Sequence, residues 1–93
     1  MRTINRPISF KRDFKREAKG KHRANLDANL ASVLAALATD VPLEPHQRDH
    51  ALGGHWHGCR ECHIKPDLLL IYRKPDSETL ELVRLGSHSE LFG

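Results

Sequence analysis

Residues 55–63 (HWHGCRECH) place three histidines and two cysteines within nine positions. Side chains of these types can bind zinc, attach a c-type haem through the CxxCH sequence, or transfer protons. Haem attachment requires export, but residues 1–21 carry charges where a signal peptide needs an apolar segment. The only methionine is Met1, which leaves no internal methionine as an axial ligand. The sequence therefore disfavours haem.

Zinc is a second possibility for the same nine residues, because cysteine and histidine are its usual ligands. The stretch is predicted to be a β-strand, however, and side chains alternate between the two faces of a strand. Cys59 and Cys62 are three positions apart and would point to opposite sides of the sheet. A zinc- or redox-responsive nucleic-acid-binding module built on residues 55–63 stays an alternative. It predicts stoichiometric metal and loss of function in Cys59→Ser.

Proton transfer is the third possibility. On a strand, Cys59, Glu61 and His63 share one face, whereas the residues between them share the other. A carboxylate two positions from an imidazole on the same face can hold the ring for acid or base catalysis. The same pattern also fits a structural Glu–His surface pair. The strand pattern alone leaves both interpretations open and treats the cysteines as incidental.

The hydrophobic pattern predicts a small α+β fold. The predicted elements are a strand at 3–8, helices at 9–18 and 23–38, and strands at 56–64, 67–73 and 79–85. Ser9 is the predicted N-cap of the first helix. Residues 67–73 are apolar on both faces and therefore predict a central strand. We expect a single domain, residues 1–93, with two helices packed on a small antiparallel sheet in the order β-α-α-β-β-β.

The charge is unevenly distributed. Residues 1–23 contain nine Lys/Arg against two Asp/Glu, a net charge of +7, whereas residues 24–93 contain six against ten, a net charge of −4. A local excess of this size attracts polyanions such as RNA, although a solvated helix face has the same composition. No apolar run approaches the roughly 20 residues that span a bilayer. We expect a cytoplasmic protein without membrane association.

The second half of the chain resembles a known family. The segment RDHALGGHWHGCRECHIKPDLLLIYRK, followed by LVRLGSHSELFG, is similar to YafQ-type toxins of the RelE/ParE superfamily over residues 48–93. The resemblance implies a RelE-like fold and a ribosome-dependent mRNA interferase of a type II toxin–antitoxin system, which cleaves mRNA in the A site without metal or other cofactor. This chain has Glu61 where another member of the family has Asp, and its cysteines fall outside the pattern.

The resemblance also implies which residues act. The implied catalytic residues are His50, Glu61, His63, Asp67 and His88, and the implied substrate-binding residues are Arg84 and Phe92. Chemically, RNA cleavage by a ribose 2′-OH needs a base, an acid and positive charge near the phosphate, which imidazoles, carboxylates and a guanidinium can provide. Which histidine is the base and which is the acid does not follow from the sequence.

The resemblance implies partners as well. These are a cognate antitoxin, usually in a complex with two copies of each protein, the ribosomal RNA and the mRNA, and operator DNA only through the antitoxin complex. A second alternative is a degenerate toxin that binds antitoxin or ribosome but does not cleave. The toxin interpretation predicts that Cys59→Ser and Cys62→Ser keep activity, whereas His63→Ala and His88→Ala abolish it.

Overall fold

The computed structural model describes all 93 residues. The six predicted helices and strands are all present, in the predicted order. The elements are β1 Thr3–Asn5, α1 Ile8–Glu17, α2 Leu26–Ala38, β2 His50–Ala51, β3 Arg60–Lys65, β4 Leu68–Arg73, β5 Thr79–Gly86 and α3 His88–Phe92. Two 3-10 turns, Pro45–Gln47 and Gly54–Trp56, lie between α2 and β3. None of the helices is both long enough and apolar enough to span a bilayer.

The five strands form one mixed sheet in the order β1-β5-β4-β3-β2. The β2–β3, β3–β4 and β4–β5 pairs are antiparallel, as predicted, and β4 is central. The prediction of an antiparallel sheet is wrong for β1, which pairs in parallel with Thr79–Glu81 of β5. The chain crosses from β1 to β5 through both helices and the rest of the sheet, and this long connection permits parallel pairing.

Both faces of the sheet are covered by apolar side chains. The helix side holds the larger cluster, in which Phe10 of α1 and Leu30 of α2 pack on Leu70 and Leu82 of the central strands. On the other face, Leu69 and Ile71 of β4 pack against Leu91 of α3. This arrangement explains why β4 is apolar at successive positions, since each of its faces meets a different layer.

Helix α1 covers the edge of β5 that β1 leaves unpaired. Ser9 Oγ donates to the carbonyl of Val83 at 3.1 Å, and Arg16 Nη2 donates to the carbonyl of Leu85 at 2.8 Å. The carboxylate of Asp13 accepts from the Leu85 backbone N–H at 3.0 Å. Side chains of α1 thus bind backbone groups of β5 where it has no neighbouring strand, and so cover this part of the sheet edge.

Several predicted boundaries differ from the structure. The N-cap of α1 is Pro7, not Ser9, whose hydroxyl is used on β5 instead. Ala18, the predicted last residue of that helix, is its exposed C-cap. Trp56 lies in a 3-10 turn before β3 rather than in the strand. The last difference is α3, which the sequence analysis did not predict.

Candidate active site

The candidate site lies on the sheet face opposite α1 and α2. Glu61 of β3 is paired with His50 of β2 on one side and with Ile71 of β4 on the other. His63 follows Glu61 by two residues and therefore shares its face. Cys62, between them, belongs to the core on the helix side. The predicted alternation of side chains along β3 is confirmed.

A buried carboxylate lies between two imidazoles in this site. Glu61 is only 5% exposed, and its Oε2 is 3.5 Å from His50 Nε2 while its Oε1 is 3.7 Å from His63 Nε2. Both ring nitrogens are within ion-pair distance of this buried carboxylate and stabilise it when the rings carry a proton. His50 Nδ1 lies 2.6 Å from the carbonyl oxygen of Arg48. Because that oxygen can only accept, Nδ1 donates and Nε2 is the nitrogen that faces Glu61.

A hydrogen-bond network fixes the chain next to His50. The hydroxyl of Tyr72 donates to Asp49 Oδ1 at 2.6 Å, and Arg60 Nε donates to the same oxygen at 3.2 Å. Tyr72 is 1% exposed, and burial raises the pKa of its hydroxyl, which therefore stays a donor at neutral pH. The network anchors residues 48–50 to the sheet. The sequence analysis missed Asp49 and Tyr72 because they act on His50 only through the fold.

Helix α3 presents His88 and Phe92 at the end of β5. Ser87 Oγ accepts from the backbone N–H of Glu90 at 3.2 Å, and Glu90 Oε1 accepts from the backbone N–H of Ser87 at 2.8 Å. This capping box begins the helix, and the Ser87 N–H lowers the pKa of the Glu90 carboxyl. The ring of His88 lies 4.9 Å from that of Phe92, centroid to centroid, and Phe92 in turn meets Trp56 edge-on at 6.0 Å.

Arg84 and Asp67 have partners outside the group of His50, Glu61 and His63. Arg84 Nε donates to Asp13 Oδ2 at 2.6 Å, and its side chain keeps about 30% of its area exposed. Asp67 lies in the turn between β3 and β4 and pairs with Lys21, which lowers the pKa of the Asp67 carboxyl.

The predicted site residues therefore fall into separate groups. His50, Glu61 and His63 are brought together on β2 and β3, and His88 contacts Phe92 on α3. Asp67 and Arg84 are each held in an ion pair with the N-terminal helical region. The structure shows no ion pair between Asp67 and the predicted catalytic histidines. The roles assigned to all seven residues stay predictions.

The two cysteines do not form one site. Cys62 is fully buried in the core on the helix side, whereas Cys59 packs at the edge of the cluster on the opposite face. Burial raises the pKa of the Cys62 thiol to about 12 and also raises that of Cys59. Since the thiolate is the form that binds metal and reacts with oxidants, neither position favours such chemistry.

Cys62→Ser is expected to lower the free energy of unfolding by about 1–3 kcal/mol, because it buries a hydroxyl among apolar side chains. Cys59→Ser, at a half-buried position, is expected to change it by less than about 1 kcal/mol. Urea denaturation of both variants measures the difference. Equal losses at the two positions would contradict the assignment of Cys62 alone to the core.

The family described as "Bacterial toxin of type II toxin-antitoxin system, YafQ" matches residues 2–93. This chain belongs to the YafQ family. The match includes the N-terminal half, in which the sequence analysis found agreement only in the order of elements. The mRNA interferase toxin YafQ of Escherichia coli strain K12 is 43% identical over 53 residues, 57% of this chain and 56% of that relative. The aligned segment thus spans little more than half of the relative's length.

Solved structures of similar toxins cover the whole chain. A copper-bound mutant toxin from Helicobacter pylori is 44% identical, with a TM-score of 0.86, over 99% of this chain and 100% of that one. The toxin in the E. coli DinJ–YafQ toxin–antitoxin complex is 32% identical, with a TM-score of 0.84, over 99% and 98%. These likenesses confirm the RelE-like fold.

The copper of the Helicobacter protein raises the question of a metal site in this YafQ-family chain. No three His, Cys, Asp or Glu side chains converge here as a metal site requires. The two histidines next to Glu61 are 3.5 and 3.7 Å from its oxygens, which is the spacing of polar contacts between side chains. The residues do not fit a metal centre, and the chemistry below uses the side chains alone.

Proposed function

We propose that this protein is a ribosome-dependent mRNA interferase, an endoribonuclease that cleaves mRNA in the ribosomal A site. The observation that carries the proposal is the Glu61 carboxylate between His50 and His63 on the sheet face opposite α1 and α2. The E. coli relative is named an mRNA interferase toxin, which supports the same reaction. Two imidazoles oriented by one carboxylate can serve a reaction that takes one proton and gives another.

The proposed reaction is attack by a ribose 2′-OH on the adjacent phosphate. One imidazole removes the 2′-OH proton while the 2′-oxygen forms a bond to phosphorus. The bond between phosphorus and the 5′-oxygen breaks, and a second group gives that oxygen a proton. The products are a 2′,3′-cyclic phosphate and a 5′-hydroxyl, so no water, electron or metal enters this step. His50, His63 and His88 are the candidates for the two proton transfers.

The remaining predicted residues have supporting roles in this proposal. Arg84, about 30% exposed beside Asp13, places positive charge where negative charge develops on the phosphate oxygens. Phe92 provides a half-buried aromatic face for an unstacked base. Asp67 holds Lys21 at the turn beside β3, which places a cation close to the strand that carries His63.

The proposal includes partners. A cognate antitoxin neutralises the toxin in a complex with two copies of each protein, and operator DNA is contacted through the antitoxin. The solved E. coli DinJ–YafQ toxin–antitoxin complex supports an antitoxin partner. Exposed cations on α1, among them Lys11, Arg12 and Lys15, face solvent and suit contact with ribosomal RNA in the cytoplasm.

Cleavage of a defined mRNA on programmed ribosomes tests the proposal. The purified toxin is compared with His88→Ala, with and without excess metal chelator and with and without ribosomes. Wild-type cleavage within the A-site codon that survives chelation, requires ribosomes and disappears in the variant supports the proposed reaction and its ribosome dependence. Folded wild-type protein that binds ribosomes without cleaving would identify a degenerate toxin instead. Cleavage that chelation abolishes would contradict the metal-free reaction.

Tyr72→Phe is expected to reduce kcat by about two- to tenfold with little change in KM. It removes a hydrogen bond of about 0.5–1.5 kcal/mol that holds Asp49 and, through it, the position of His50. The His50 ring resonances in an NMR spectrum should also broaden or move. Ser9→Ala is the matched control, because it removes a hydrogen bond of similar type from α1 to β5. Equal losses of kcat in the two variants would assign Tyr72 to stability alone.

A further inference from the structure

A basic cavity of about 610 Å³ opens next to His63. Its polar lining comes from Asn29 of α2, His46 and Arg48 of the segment before β2, and His63 and Lys65 of β3. No carboxylate lines it. Glu61 approaches His63 at 3.7 Å but does not form part of the wall. The wall of the cavity therefore carries two permanent cations and two imidazoles, with Glu61 as an acid next to it.

The two permanent cations of the cavity differ from the other Lys/Arg of residues 24–93, the part of the chain with a net negative charge, because they form no ion pair. Residues 24–93 contain six Lys/Arg, and four of them form ion pairs: Arg60 with Asp49, Arg73 with Glu81, Lys74 with Asp40 and Arg84 with Asp13. Arg48 and Lys65 form none, although this half of the chain has more acids than cations. Both unpaired cations line the same cavity.

The cavity also has a buried hydrogen-bond donor without a partner. Asn29 Nδ2 is buried and has no hydrogen-bond partner, and buried donors in native proteins are rarely left unused. Arg48 has a left-handed conformation with φ of +49° because it ends the 3-10 turn Pro45–Gln47, where its backbone N–H donates to the carbonyl of Pro45. A free donor and unpaired cations around one opening are the groups that an anion with several acceptor oxygens requires.

We propose that this cavity binds the RNA phosphate that neighbours the scissile phosphate. The proposal rests on the function proposed above, because His63 is at once a wall of the cavity and a candidate acid or base. A phosphate held by Arg48, Lys65 and Asn29 fixes the strand on one side of the reacting linkage. Phosphate contacts carry no base information, so the cavity sets the register of the strand rather than codon preference.

Binding of a short non-cleavable RNA tests the proposal without cleavage. The probe is a fluorescent 2′-O-methyl oligonucleotide, titrated against the full chain at salt concentrations between about 50 and 200 mM. Lys65→Gln and Arg48→Gln are each expected to lower the slope of log affinity against log salt by about 0.7, the value for one lost contact to a single strand. Lys19→Gln, which removes an exposed cation without an ion pair from the turn after α1, is the control with equal charge change.

Each outcome decides the proposal. A slope change in the two cavity variants that exceeds that of Lys19→Gln supports it. Equal changes in all three, or none, overturn it, since the chain's overall charge would then account for binding. A second measurement needs no variant: the side-chain amide resonances of Asn29 should shift with the oligonucleotide. A shift with inorganic phosphate but not with the oligonucleotide would assign the cavity to the free anion and overturn the proposal.

The oligonucleotide-binding test and the cleavage test can each fail without the other. Cavity-dependent binding of the oligonucleotide by a toxin that does not cleave mRNA on ribosomes would contradict the proposed function and leave the phosphate subsite standing. Cleavage on ribosomes, with binding of the oligonucleotide unchanged in Lys65→Gln and Arg48→Gln, would contradict the subsite alone.

Discussion

Replacing His63 with alanine is expected to reduce the rate of mRNA cleavage by about 10²–10⁴-fold, the usual contribution of a well-placed acid or base. His63 lies next to the buried Glu61 carboxylate, and its side chain keeps about 20% of its area exposed, enough to meet a substrate. The substitution leaves Leu69, its cross-strand neighbour, in place. The expected change is therefore in kcat, measured by cleavage on ribosomes under single-turnover conditions.

The control for this experiment is His57→Ala. His57 is exposed at the end of the turn before β3, and it makes no contact with Glu61. It should retain full cleavage activity. A His63→Ala protein that is folded and within tenfold of the wild-type rate would show that His63 does not transfer a proton in the rate-determining step, and the base and acid would have to be sought in His50 and His88.

Replacing Leu70 with alanine is expected to lower the free energy of unfolding by about 2–5 kcal/mol. Leu70 is fully buried in the central strand β4 and packs in the cluster beneath α1 and α2. Truncation removes apolar burial and leaves a cavity that a strand paired on both sides cannot close. Since small domains have a total stability of about 5–15 kcal/mol, the loss is a large part of the whole.

Urea denaturation followed by circular dichroism measures the effect, with Val41→Ala as the control. Val41 is 55% exposed in the loop after α2, and its truncation should change the free energy of unfolding by no more than about 0.5 kcal/mol. Similar losses in the two variants would contradict the placement of Leu70 at the centre of the core.

The local pattern of the sequence predicted most of the fold. Period-3.6 leucines located α2, and the continuous apolar run of residues 68–72 placed β4 at the centre. The parallel pairing of β1 with β5 was beyond prediction because it joins segments more than 70 residues apart. Helix α3 was missed because five residues are too few for a periodic pattern. The S-x-x-E sequence of Ser87–Glu90, which forms its capping box, was a usable signal.

The candidate site was predicted in part from residue chemistry and in part from the family resemblance. Strand alternation placed Glu61 and His63 together, whereas His50 and His88 came only from the resemblance. The ion pair between Asp13 and Arg84 depends on α1 covering the edge of β5, which no local pattern reveals. Asp13 nevertheless lies three residues after Phe10, on the apolar stripe of α1, and a carboxylate there suggests a buried partner.

The chemical identity of the new RNA ends tests the central claim most directly. An mRNA is cleaved on ribosomes by the wild-type toxin, and the ends are analysed by mass spectrometry, beside an mRNA with a single 2′-deoxynucleotide before the scissile phosphate. Acid–base catalysis by the histidines predicts a 2′,3′-cyclic phosphate, a 5′-hydroxyl and no cleavage of the deoxy-substituted message. A 5′-phosphate end, or cleavage at the deoxynucleotide, would contradict attack by the 2′-hydroxyl and with it the roles assigned to His50, His63 and His88.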